Sequence, residues 1–246
     1  MHAGDLMVLV LLGLAAGAVT TLSGLGGGLV VVVAAAWFGP HAALALTAPA
    51  LAISHLHRAW LLRSRLDRRI VVPFALAIAP VAFVGSLITA RLDADALRWL
   101  LVVALAIAVL DAFGLIGRRG DREREVADRR WLIPGGAGVG LMMASGGGAG
   151  VLAAPVLRTV GVRGDAMVAS LAVGALIGHV ARTLAYGRAS LLGVESLAAA
   201  LALTIALIGG NLLGRRMSAR IGEPARERML HAMVFASLAL AIYEAL

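Results

Sequence analysis

The chain repeatedly runs for about twenty residues almost without charge, the length that crosses a bilayer as a helix. Such runs occupy approximately residues 41–62, 70–90, 97–116, 165–186, 191–215 and 223–245. At 61% hydrophobic and 15% charged residues, the chain has too little polar surface for a soluble domain of its length. A transmembrane barrel needs short alternating strands, and none is legible. The expected class is therefore an all-α polytopic membrane protein, because a helix satisfies its own backbone in lipid. The formal charge of +8 comes from arginine alone, since all 22 basic residues are Arg. These read as loop arginines beside a lipid bilayer, with no nucleic-acid partner implied. The absence of cysteine excludes disulfides, thiolate catalysis and Cys-based metal sites. The opening "MHAGDLMVLV" has no Lys or Arg before its apolar run and is expected to stay in the mature chain.

Two apolar segments, about 6–38 and 131–160, are interrupted by glycine clusters. The first reads "TTLSGLGGGLVVVV" from Thr20 and the second "MMASGGGAGVLAAP" from Met142. Each Gly costs a helix about 1 kcal/mol relative to Ala. Each broken segment is followed by three plain ones, so the chain reads as a repeat of residues 1–117 and 131–246. A polar linker at 118–130 joins the halves. Gly24-Leu-Gly-Gly-Gly28 corresponds to Gly146-Gly-Gly-Ala-Gly150. The same offset sets Thr47-Ala48 on Ala169-Ser170 and His57 on His179. Further along, "GSLITAR" from Gly85 matches "GNLLGRR" from Gly210.

The arginines discriminate between two topologies. If each broken segment crosses once, the loops hold thirteen and nine arginines on the two sides. If each turns back as a re-entrant hairpin, the counts become eighteen and four. Only the second is a strong positive-inside bias. The expected fold is thus two inverted repeats, each a Gly-broken (re-entrant or discontinuous) helix plus three transmembrane helices. It lies in the cytoplasmic (inner) membrane with both termini outside and the 118–130 linker cytoplasmic. One feature opposes it: residues 6–22 are long enough to span alone.

A helix broken in lipid leaves N–H and C=O groups without partners, at several kcal/mol each. Such a break persists where it is buried in protein or lines a polar cavity. The helix after each break starts with free N–H groups and a partial positive charge. Two such ends meeting from opposite faces would bind an anion without any buried Lys or Arg. The candidate binding residues are Ser23, Gly24, Gly26, Gly27 and Gly28, then Ser145, Gly146, Gly147, Gly148 and Gly150. The alternative is close helix packing, which "GGAGVG" at Gly135–Gly140 also suits.

These motifs resemble the TauE/SafE family of sulfite and organosulfonate exporters. The likeness rests on the duplicated Gly-x-Gly-[Gly/Ala]-Gly cluster, followed by four residues and then a Pro, and on a Gly-x-x-x-[Gly/Ala]-x-Arg element. Gly146–Pro155 carries the first with Ala149 in a Gly position, while Val33 stands where Pro is usual. The family's Thr-Ser pair is split between Thr47-Ala48 and Ala169-Ser170. The resemblance covers nearly the whole chain. It implies a secondary carrier of small sulfur oxyanions, sulfonates or carboxylates, driven by the proton gradient.

Other polar residues in the apolar segments carry paired readings. Ser23 and Ser145 can meet an anion or cap a turn. Thr47 and Ser170 can join the site or bond back to the i−4 carbonyl. Asn211 can donate to an oxyanion or tie helices together. His57 and His179 are proton-coupling candidates, with His55 a similar residue near a helix end. Asp111 and Glu244 lie near helix ends, and Arg91 and Arg216 close matching helices. No nucleotide-binding Gly-x-x-x-x-Gly-Lys motif is present, and no cofactor or metal is called for. The competing functions are a passive anion channel and an intramembrane serine hydrolase using Ser145 and His179; the expected protein is not an enzyme. A homo-oligomer is compatible with the exposed apolar faces.

Overall fold

The structure, a computed structural model, describes residues 2–23, 34, 37–112, 129–146, 149–218 and 221–246. All of the regular structure among these residues is helical. The described residues form nine α-helices, in order α1 (Ala3–Ser23), α2 (Pro40–Leu61), α3 (Arg68–Thr89), α4 (Ala94–Ala112), α5 (Leu132–Ala144), α6 (Ala149–Thr159), α7 (Gly164–Arg188), α8 (Val194–Ser218) and α9 (Glu223–Ala245). Four are long and apolar enough to cross a membrane, covering Gly4–Leu22, Arg68–Thr89, Gly164–Arg188 and Val194–Met217.

Local chemistry sets the boundaries. Pro40 opens α2 behind Gly39, whose φ of +83° suits glycine, and the fixed φ of proline fits the first helical turn. Asp67 caps α3 by accepting the Arg69 N–H at 2.8 Å. The second glycine cluster interrupts the chain as anticipated. α5 ends at Ala144, Gly146 turns with φ +94°, and α6 starts at Ala149.

Both broken segments fold back on themselves. α5 has 13 residues and is about 20 Å long, short of a hydrocarbon core of about 30 Å. Gly135, near its start, faces Val156, near the end of α6, so the two helices form a hairpin. In the first segment α1 is long enough to span. Nevertheless, the Trp37 indole N–H donates to Asp5 Oδ1 at 3.1 Å, which brings the far end of the segment back beside its beginning. The length of residues 6–22 is therefore no obstacle to a hairpin.

Helix neighbours exchange between the halves. α1 lies along α8, and in the same manner α5 lies along α3. α2 packs on α8 as α7 packs on α3, while α2 meets α7 and α4 meets α9. The hairpin contacts depend on glycine. A Cβ at Gly140 would sit 2.7 Å from the Ile78 carbonyl, and one at Gly136 would sit 2.8 Å from that of Phe74. Gly17 and Gly210 bring α1 and α8 together more tightly still. The packing reading of Gly135–Gly140 is thus realised.

Among the described residues two large apolar cores form, beside a small cluster of Val102, Leu105 and Ala241 between α4 and α9. One joins α1, α2 and α8 around Leu9, Leu51 and Leu203; the other joins α3, α5, α6 and α7 around Phe74, Ile78 and Leu157. Large apolar side chains such as Leu76, Ile88, Leu141 and Ile205 cover the outside. The seam where α2 meets α7 carries the polar residues.

Candidate functional site

Helical spacing of three residues puts a histidine and an arginine on one face of a helix. The sequence does this twice, as His55-x-x-Arg58 on α2 and His179-x-x-Arg182 on α7. The two histidine rings stack at the seam, with centroids 5.3 Å apart and planes 8° from parallel. Arg58 bonds to Nδ1 of His55, and Arg182 Nη1 lies 3.2 Å from Nδ1 of His179. All four side chains are buried, Arg182 to 1% exposure.

Each guanidinium has one further partner. Arg58 Nη1 donates to the Thr20 carbonyl at 2.7 Å, in the last turn of α1. Arg182 Nε donates to the Tyr186 hydroxyl at 3.4 Å, one turn along its own helix. One N–H-bearing nitrogen on each is buried without a partner: Nε of Arg58 and Nη2 of Arg182. No Asp or Glu is buried among the residues whose side chains are described. The seam therefore holds two guanidinium charges with no buried carboxylate among those side chains to balance them. Two buried cations of this kind are expensive unless an anion joins them.

The last turn of α1 and the end of α5 both reach this seam. The tip of α1 supplies the Thr20 carbonyl to Arg58. Met143, one residue from the end of α5, packs on Gly178, next to His179. The loop assignment of two arginines is corrected here. Arg58 and Arg182 had been counted as loop charges, yet both lie inside the protein. A further correction concerns register. His179 stacks on His55, whereas His57 lies two residues on, about 200° around α2. The repeat offset is thus two residues longer at the histidines than at the glycine clusters. His57 is half-buried, with Nδ1 unpartnered.

The other candidates fall into three groups. Gly24, Gly26, Gly27, Gly28, Gly147 and Gly148 lie outside the described residues, as does most of the 118–130 linker. Ser23 ends α1, Gly146 makes the buried turn after α5, and Gly150 lies in the first turn of α6. Thr47 donates back to the Ala43 carbonyl at 2.6 Å, and Ser145 donates to that of Met142 at 2.7 Å. Ser170 is buried in α7. Asn211 ties three helices: it accepts from the Thr21 hydroxyl of α1 at 3.0 Å and donates to Ser54 of α2 at 2.9 Å. Ser54 precedes His55, so this tie borders the seam.

The sequence matches the family model described as sulfite exporter TauE/SafE over residues 9–242. Comparison with curated proteins and with solved structures finds no match. With its apolar helices and a family match over nearly its full length, the chain is a multi-pass membrane protein that belongs to the sulfite exporter TauE/SafE family of transporters.

Proposed function

We propose that the protein is a secondary carrier of small anions of the sulfite, thiosulfate, sulfonate or carboxylate class, and that the anion binds at the α2–α7 seam. The observation that carries this reading is the pair of buried, incompletely bonded guanidinium groups, with no buried carboxylate among the described side chains. An anion supplies the missing acceptors and charge at once, and the planar guanidinium fork of arginine suits the paired oxygens of a sulfonate or carboxylate. The described ends of α1 and α5, which lead toward the glycine clusters in sequence, each adjoin one His–Arg pair.

The reading includes two inverted halves in the inner membrane. The returns at Trp37–Asp5 and Gly135–Val156 favour hairpins over single crossings. So does the ion pair of Arg65, between α2 and α3, with Asp165 at the start of α7, at 3.9 Å. Single crossings would put those two residues on opposite sides of the membrane. Withdrawing the two buried arginines from the loop count leaves seventeen against three, so the bias strengthens. The reading keeps both termini outside and the linker in the cytoplasm. It assigns the protein no enzymatic step; the Ser145 hydroxyl is bonded to Met142 and His179 Nδ1 to Arg182.

Reconstituted in liposomes, the protein should catalyse saturable exchange of radiolabelled thiosulfate or sulfite against unlabelled anion. Absence of flux for a panel of these anions, under either a pH gradient or counterflow, in folded protein, would sink the reading. Non-saturable flux would point to a channel instead.

A further inference from the structure

A guanidinium group donates hydrogen bonds and accepts none. The ring nitrogen facing it must therefore offer a lone pair. Nδ1 of His55 and Nδ1 of His179 both face an arginine N–H, so both rings carry their single proton on Nε2 and are neutral. The same relation arises twice, on two helices, from the same three-residue spacing. A protonated imidazole donates at both nitrogens. It cannot keep this bond, because N–H would face N–H and both groups would be positive. A charged histidine and a histidine-bound guanidinium thus exclude each other.

We propose that His55 and His179 are positioning residues that couple proton uptake to anion binding: each, while neutral, holds its arginine, and a proton taken at Nδ1 releases that guanidinium to the anion. This rests on the anion-carrier reading and deepens it. Each arginine already has one buried nitrogen without a partner. Losing the histidine bond adds a second, and an anion's oxygens satisfy both. The proton comes from water, the bond broken is the arginine-to-Nδ1 hydrogen bond, and the bond gained is arginine to anion. Binding of proton and anion must then favour each other equally. The 5.3 Å stack limits the number, since two imidazolium rings at that distance repel. The coupling is one proton per anion.

Among the described residues the surroundings add no competing group. The titratable side chains buried at the seam are His55, Arg58, His179, Arg182 and Tyr186. α1, α3, α5 and α8 present Thr20, Ile78, Met143 and Asn211, none of which titrates in this range. The described buried residues of α4 and α6 are all apolar.

The test is calorimetric titration of thiosulfate into the purified full chain in detergent, between about pH 5 and 8 where histidine changes charge. Thiosulfate remains a dianion throughout, so its own charge does not vary. Affinity should fall by about tenfold per pH unit on the alkaline side, with about one proton taken up per anion, read by repeating the titration in buffers of different ionisation enthalpy. In the His55→Gln/His179→Gln double variant an amide oxygen accepts from the arginine at every pH. Thiosulfate binding should persist there, weaker than in the parent at low pH, with its pH slope flattened. His57→Gln should retain the parent slope. A parent affinity independent of pH, an unchanged slope in the double variant, or no thiosulfate binding at any pH overturns the proposal. Proton-linked binding without liposome flux would instead sink the carrier reading, and flux with pH-independent binding would sink only the coupling.

Discussion

The two halves carry the same His–Arg pair and complete it differently. Arg58 reaches across to the Thr20 carbonyl on α1, whereas Arg182 turns back along α7 to Tyr186. The hairpin arms differ as well, with 21 residues in α1 against 13 in α5. The longer arm delivers a backbone acceptor to its arginine; the shorter one delivers Met143 to the glycine beside His179. One guanidinium is therefore clamped to a hairpin tip and the other is held by side chains of its own helix. Two charges that look equivalent in sequence are unequal in how firmly they are fixed.

Removing both charges should have the largest effect. Arg58→Gln/Arg182→Gln should abolish measurable thiosulfate binding. Each single variant should weaken it about 10- to 100-fold, the value of one or two charge-assisted hydrogen bonds. The halves should separate in a second readout. Arg58→Gln should also lower the thermal unfolding midpoint, because α1 loses its tie to α2, while Arg182→Gln should lower it less. Equal midpoints would erase the asymmetry.

Next come the glycine contacts. Gly17→Val and Gly140→Val should each cost about 1–3 kcal/mol by overpacking, read from thermal unfolding, with Gly17 the costlier because its contact with α8 is tighter. Gly146→Ala forces a left-handed conformation on a residue with a Cβ and should cost about 1–2 kcal/mol, again by thermal unfolding. Tyr186→Phe should cost about 0.5–1.5 kcal/mol, the net worth of one hydrogen bond, and should act on the second half alone. The smallest effect belongs to Arg65→Ala. Its ion pair with Asp165 is exposed and worth about 0.2–1 kcal/mol at most. Its use is geometric: Arg65→Cys and Asp165→Cys together should crosslink if the α2–α3 turn and the start of α7 share a side.

Much of the fold was legible because lipid imposes a simple code. The six helices outside α1, α5 and α6 begin and end within a few residues of the runs almost free of charge, and the second glycine cluster sits where α5 gives way to α6. The arginine count favoured hairpins over crossings, in agreement with the Trp37 and Val156 contacts. The site was less legible, for one physical reason. Arg58 precedes four exposed arginines, Arg63, Arg65, Arg68 and Arg69, around the α2–α3 turn, and Arg182 is six residues from Arg188, so each read as a charge at a helix end. A side chain's depth depends on which way its helix face points, and loop counting ignores that. The gap-free alignment through the glycines then paired His57 with His179. The signal that would have corrected both errors was present as "HLHR" and "HVAR", two copies of His-x-x-Arg at matching places in the halves. Asn211 went the other way: its role as interhelical tie was anticipated, and its three-helix connection shows why an amide is needed there.

The central claim is that an anion sits between the two buried guanidinium groups. Anomalous diffraction from crystals of the full chain grown with selenite, a heavier stand-in for sulfite, tests it most directly. The account predicts a selenium peak at the α2–α7 seam, within about 4 Å of nitrogens of both Arg58 and Arg182, a distance set by ordinary hydrogen bonds to its oxygens. A peak confined to the exposed loop arginines, with none at the seam, would contradict it.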